Sequence, residues 1–103
     1  MANMNQMMKQ AQQMQAKLGT LQKELETREF EGTSGGGMVK AIVNGKQELI
    51  DIVIDKECVD PNDVEMLQDL VKTALNQALT TSQDSVSKAM SKVTGGLSIP
   101  GLF

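Results

Sequence analysis

Apolar residues recur at steps of three and four from Met4 through Met7, Ala11, Met14, Leu18 and Leu21 to Leu25, with Met8 thickening one side of the stripe. Such steps keep one narrow face of a helix turned toward a neighbour, so the spacing predicts a helix over about residues 3–27 with a heptad-like seam. Gly19 costs that helix about 1 kcal/mol relative to alanine without ending the pattern. The methionines read as packing surface, because the thioether side chain fills irregular contacts.

The period then changes to two. With Gly35-Gly36 and Asn44-Gly45 as two-residue turns, residues 28–34, 37–43 and 46–55 are expected to form a three-stranded antiparallel meander. In that register Phe30, Gly32, Val39, Ala41, Val43, Ile50, Ile52 and Ile54 share the core face. The opposite face sets Glu31 across from Lys40, among Met38, Ile42, Leu49, Asp51 and Val53. Its mixed character suits either solvent or a second subunit, with Met38, Ile42, Leu49 and Val53 as the dimer-interface candidates.

Asp60-Pro61-Asn62-Asp63 reads as a helix start, with Asp60 as the cap and Pro61 at the first helical position. Leu67, Leu70, Val71, Ala74, Leu75, Ala78 and Leu79 give a broad apolar face, which narrows to a seam through Ser82, Val86, Ala89 and Val93. Gly95-Gly96 is the expected stop. A single domain over 1–96 and a short mobile tail, 97–103, follow as the expected organisation. A helix over 61–94 is roughly 50 Å long, whereas a compact globule of this size is about 35 Å across. It has to overhang. The two narrow seams therefore pair into an arm that leaves the sheet, and a dimer through the sheet carries two arms.

The glycine-rich stretch EGTSGGGMVKAIVNG, residues 31–45, invites comparison with a phosphate cradle. A Walker-type loop needs a glycine, four residues, then Gly-Lys-Ser/Thr; Gly37 is followed by Met38, and Gly45-Lys46 by Gln47. A dinucleotide fingerprint starting at Gly35 would need glycine or alanine at position 40, which is lysine in a β-type run. Turn chemistry accounts for these glycines.

The chain has 103 residues, no tryptophan, tyrosine or histidine, two phenylalanines and one cysteine. Ser-His-Asp or Cys-His catalysis, His-containing zinc sets and aromatic platforms for unpaired bases are thereby excluded. No cofactor is expected, and no enzymatic activity. Asp51 and Asp55 share a strand face and could hold a hard cation, but paired acids on an acidic surface read as solvated. Cys58 has no partner for an internal disulfide, which fits a reducing compartment, and reads as a small apolar residue rather than a nucleophile. Neither a long apolar run nor a signal-peptide layout is present, so a soluble cytoplasmic protein is expected.

The net charge is −3, but it is unevenly distributed. Residues 1–23 carry Lys9, Lys17 and Lys23 and no acid. Residues 48–69 hold eight acids against Lys56 alone, and residues 70–103 return to +2. The ends are basic and the middle acidic.

The Gly35-Gly36-Gly37-x-Val39 turn, the Asn44-Gly45 hairpin, Ile54-Asp55, Met66-Leu67-x-Asp69-Leu70, Ala74-x-Asn76-x-Ala78 and Thr94-Gly95-Gly96-Leu97 together resemble the YbaB/EbfC family of bacterial nucleoid-associated proteins. The Met/Gln/Lys-rich first helix agrees, and the resemblance covers nearly the whole chain. It implies an α+β fold of order α-β-β-β-α, a tweezer-like homodimer, and binding to duplex DNA with effects on nucleoid organisation and gene expression. The location implied is the cytoplasm and nucleoid.

On that reading Lys9, Lys17, Lys23, Lys88 and Lys92 meet phosphates on either side of a duplex held between the arms, and Lys72 lies nearer the acidic body. Without aromatic or arginine groups to read base edges, specificity is expected to be low or to come from DNA shape. The stretch TTSQDSVS, residues 80–87, places Ser/Thr and Asp84 where relatives carry more charge, which weakens the expected grip. The alternative reading is an adaptor whose arms clasp a partner helix or a recombination or replication protein.

Overall fold

The computed structural model describes residues 2–94. The chain runs α1 (Ala2–Thr27), β1 (Glu29–Ser34), β2 (Val39–Asn44), β3 (Leu49–Ile54) and α2 (Val64–Thr94), with a 3-10 turn at Gly35–Gly37 and another at Lys56–Cys58. The strands form one antiparallel sheet in the order β1-β2-β3. The α-β-β-β-α order and the meander are those expected; the stop at Gly95-Gly96 and the tail 97–103 lie outside the described residues.

Both hairpins are wider than two residues. Gly35, Gly36 and Gly37 all have positive φ, and Met38 closes the turn by donating its N–H to the Gly35 carbonyl (3.3 Å). Ser34 therefore pairs with Val39, and Glu31 lies opposite Ile42 rather than Lys40. Lys40 still reaches Glu31 along the diagonal, Nζ to Oε1 3.2 Å, across two strands whose next-but-one neighbours remain within range of long side chains. In the second hairpin Asn44 Oδ1 accepts from the N–H groups of Lys46 (2.9 Å) and Glu48 (3.1 Å), which winds four residues into the connection. Gln47, not Gly45, takes the left-handed conformation there (φ 68). Slips by even numbers of residues leave the side-chain faces unchanged, as they do for Asp51–Ile54, whereas across a bulge Leu49 pairs with the core residue Val43.

The core forms where α2 crosses β1 and β2. Val39, Ala41, Val43, Cys58, Ala74 and Ala78 are buried together, with Phe30, Ile52, Leu67, Leu70, Val71, Leu75 and Leu79 packed around them. Cys58, expected only to be a small apolar residue, is part of this core. Gly32 permits this close approach, because a Cβ there would collide with the Ala74 carbonyl oxygen and the Ala78 nitrogen. Two polar ties reinforce the seat: Gln77 Oε1 accepts from the Thr33 N–H (2.6 Å), and Ser34 Oγ donates to the Leu70 carbonyl.

The expectation that Ile50, Ile52 and Ile54 complete this core fails for two of the three. Ile54 and Ile52 pair with Val39 and Ala41, and the register skips Ile50 at a bulge between Ile42 and Val43. Since α2 lies over β1 and β2, Ile50 and Ile54 are left exposed and only Ile52 is partly covered.

The start of α2 also needs correction. Asp60 organises a turn, accepting from the Asn62 N–H (2.9 Å) through Oδ1 and from the Asp63 N–H (3.0 Å) through its carbonyl. Asp63 is the cap: its Oδ1 accepts from the Met66 N–H (3.2 Å), three residues into the helix. Both Asp60 and Asp63 are good caps, and Asp63 has the uninterrupted run of N–H donors after it.

Candidate nucleic-acid interface

A second, separate core holds the arm. Leu18, Leu25 and Met90 are buried, with Leu21, Val86, Ala89 and Val93 packed around them. The α1 and α2 seams therefore meet, but over the second half of α1 only; Met4, Met7, Ala11 and Met14 are exposed. Met90, one residue beside the expected seam, supplies its largest buried α2 side chain. At 31 residues α2 is about 47 Å long. The molecule measures 74 × 20 × 19 Å with a radius of gyration of 19.5 Å, against about 13 Å for a compact chain of this length. The overhanging arm predicted from helix length is present.

Where the arm joins the body, the β2–β3 turn presses on α1. A Cβ on Gly45 would overlap the Leu25 carbonyl, so glycine is needed there for proximity. Ser82, fully buried, donates to the Asn44 carbonyl (3.0 Å) and accepts from Gln47 Nε2 (3.0 Å). The serine in the α2 seam is thus the polar pin between arm and hairpin. The seam spacing located Ser82, but nothing in the sequence pointed to its partners.

Lys9, Lys17 and Lys23 on α1 and Lys88 and Lys92 on α2 are all exposed. At 100° per residue they fall on the flanks and backs of the two helices, away from the apolar seam. Among the described residues none of the five is in an ion pair, whereas Lys40 pairs with Glu31 and Lys46 with Glu26 (3.9 Å). No acidic residue occurs in 2–23 or 85–94, so the outer arm carries five positive charges and no negative one. Lys72 is exposed on α2 over the sheet, on the acidic side of the molecule. Such a distribution attracts a polyanion to the arm and repels it from the body.

Similarity to known proteins gives the chain its family. Residues 1–97 match the model of the YbaB/EbfC DNA-binding family. The chain belongs to that family. It is 59% identical to a nucleoid-associated protein of Desulforamulus reducens over 98% of this chain and 96% of that one. It is 54% identical to a nucleoid-associated protein of Caldanaerobacter subterraneus, covering 98% and 91%. The crystal structure of an uncharacterized protein from Helicobacter pylori superposes with a TM-score of 0.75 at 25% identity, over 88% of this chain and 96% of that one. The YbaB/EbfC family is not an enzyme family.

Asp51 and Asp55 use an oxygen each on local backbone, accepting from the N–H groups of Ile52 (2.9 Å) and Glu57 (2.9 Å). Among the described residues no group of three His, Cys, Asp or Glu side chains is placed to hold a metal, and no helix is long and apolar enough to cross a membrane.

Of the dimer-interface candidates, Leu49 and Val53 are about half exposed on β3, Met38 is exposed in the first turn, and Ile42 is partly covered on β2. Ile50 and Ile54, expected inside, add to the apolar surface of the same edge strand.

Proposed function

We propose that this protein binds duplex DNA as a homodimer, gripping phosphates with Lys9, Lys17, Lys23, Lys88 and Lys92 on paired helical arms, with little sequence preference, and so acts in nucleoid organisation and gene expression in the bacterial cytoplasm. The observation that carries it is the segregation of charge: five exposed lysines, in no ion pair among the described residues, on an acid-free arm, in a chain of the YbaB/EbfC DNA-binding family. Dimerisation is supported by β3, where Leu49, Ile50, Val53 and Ile54 are 48, 49, 51 and 40% exposed on an unpaired sheet edge. A long apolar edge strand is an association surface, and a second copy covering it sets two arms around one cleft.

Phosphate contact releases condensed counterions, so binding has to weaken steeply with salt. If about five of the ten arm lysines named above in a dimer engage, log affinity falls with log salt at a slope of about −4.5. Fluorescence anisotropy on plain duplexes of unrelated sequence, across a salt series, measures that slope and the sequence preference together. An isotherm unchanged between low and moderate salt overturns the phosphate grip.

The exposed methionines of α1 favour a second reading, an adaptor that clasps an apolar partner helix or a recombination or replication protein. Such capture is insensitive to salt, which separates it from DNA binding in the same titration.

A further inference from the structure

The interhelical seam is lopsided at the far end of the arm. On α1 the stripe that carries Leu25, Leu21 and Leu18 continues through Met14, Ala11, Met7 and Met4, with Met8 beside it. Yet Met4, Met7 and Met8 are 72, 67 and 60% exposed. On α2 the described residues end at Thr94, and Val93 shares a shallow groove with Gln10, Gln13, Met14 and Lys17. From Met14 to Met4 α1 runs on for about 15 Å with its seam face uncovered by any described residue.

The chain continues from Thr94 as Gly95-Gly96 and then Leu97-Ser98-Ile99-Pro100-Gly101-Leu102-Phe103, residues that lie outside those described. We propose that residues 97–103 pack along the Met4–Met7–Met8 face of α1 in the same chain, taking over the seam where α2 leaves it. Three arguments converge. The uncovered stripe is continuous with an interface already formed by Leu18, Leu25 and Met90. The reach suffices, since nine residues span up to about 30 Å when extended and about 15 Å is needed. The chemistry matches: Leu97, Ile99, Leu102 and Phe103 are four large apolar side chains within seven residues, and Pro100 disfavours a continued helix. Methionines suit such an irregular partner because the unbranched thioether adapts to its shape. This inference is independent of DNA binding; it concerns what covers the apolar side of the arm, not its lysine flanks.

Phe103 makes the test specific. The chain has two aromatic residues, and Phe30 lies in the core under α2, so ring-current displacement of a methyl at the start of α1 reports Phe103. The full chain, the chain lacking residues 97–103 and the Phe103→Leu variant are each labelled with ε-13C methionine and compared by NMR. The expected result is that the Met4, Met7 and Met8 methyl signals are displaced in the full chain and return toward solvent-exposed positions on deletion. Phe103→Leu removes the largest displacement, and the buried Met90 methyl holds its position throughout. Signals of Met4, Met7 and Met8 that neither change moves overturn the proposal. A labelled truncated chain mixed with unlabelled full chain should show no displacement; if displacement appears, the segment packs on the other copy and same-chain packing is wrong.

Discussion

Ser82, at the middle of the 31-residue α2, donates its hydroxyl to the carbonyl of Asn44 at the last position of β2, 3.0 Å away. This bond crosses the point where α2 stops covering the sheet and starts pairing with α1. Gln47 reaches the same hydroxyl at 3.0 Å from a left-handed backbone position, so the β2–β3 turn is shaped around it. Ser82→Ala removes both bonds and leaves the Gln47 amide without this acceptor, while Asn44 keeps the Gln47 N–H (3.1 Å) on its carbonyl. A loss of about 1–2 kcal/mol is expected, read as a lower urea midpoint at unchanged m.

Three glycines separate proximity from propensity. A Cβ at Gly32 meets backbone atoms of Ala74 and Ala78, and one at Gly45 meets the Leu25 carbonyl; neither obstacle is the flexible end of a side chain. Gly32→Ala and Gly45→Ala should each cost about 3 kcal/mol, because the helices must back away to admit the methyl. Gly19, inside α1, has nothing within 4 Å of the position a Cβ would take. Gly19→Ala should therefore stabilise the chain by up to about 1 kcal/mol. Thermal melts of the three variants give opposite signs if close approach, rather than glycine flexibility, is what Gly32 and Gly45 supply.

Period and length carried most of this fold. The three-and-four spacing of Leu18, Leu21 and Leu25 against Val86, Ala89 and Val93 foretold the arm, because two narrow seams have only each other to cover. The alternation of Val39, Ala41 and Val43 places the core face of the sheet even though both turns are longer than the two residues expected, since slips by two and by four residues preserve the faces. What escaped was set by non-local cover. Ile50 and Ile54 have the pattern of core residues, but α2 does not extend over β3. The same holds for Met4 and Met7, which continue the α1 stripe past the described end of α2. The lysines were legible as a charge asymmetry, whereas their freedom from ion pairs depends on which acids the fold brings near them.

Charge reversal distinguishes a phosphate grip from apolar capture. Lys17→Glu with Lys23→Glu places carboxylates on exposed α1 positions, where the effect on stability is within about 0.5 kcal/mol. DNA affinity at moderate salt should collapse, and single neutral variants should each make the salt slope shallower by about 1 for every phosphate no longer neutralised. Lys72→Glu, exposed over the sheet body, serves as the control and should leave the slope unchanged. Electrophoretic mobility shifts alongside circular dichroism separate lost binding from lost fold. An equal effect of Lys17→Glu and Lys72→Glu would leave only a net-charge effect and remove the arm from the mechanism.

The β3 edge gives a test of the two-armed arrangement. Leu49 and Val53 are 48 and 51% exposed in one chain, so Leu49→Asp with Val53→Asp costs an isolated protomer little. In a dimer joined through that edge, the same carboxylates are forced into an apolar interface without partners and association fails. Light scattering should then report the mass of one chain instead of two, with the helical circular dichroism retained. Separation also ends the tethering of the two arms, whose effective concentration around one duplex is in the millimolar range for closely linked sites. DNA affinity should fall by about 10²-fold or more even though every lysine is still present. If the mass stays at two chains, the interface lies elsewhere; if it drops to one while affinity is untouched, a single arm suffices and the cleft between twin arms is not the binding site.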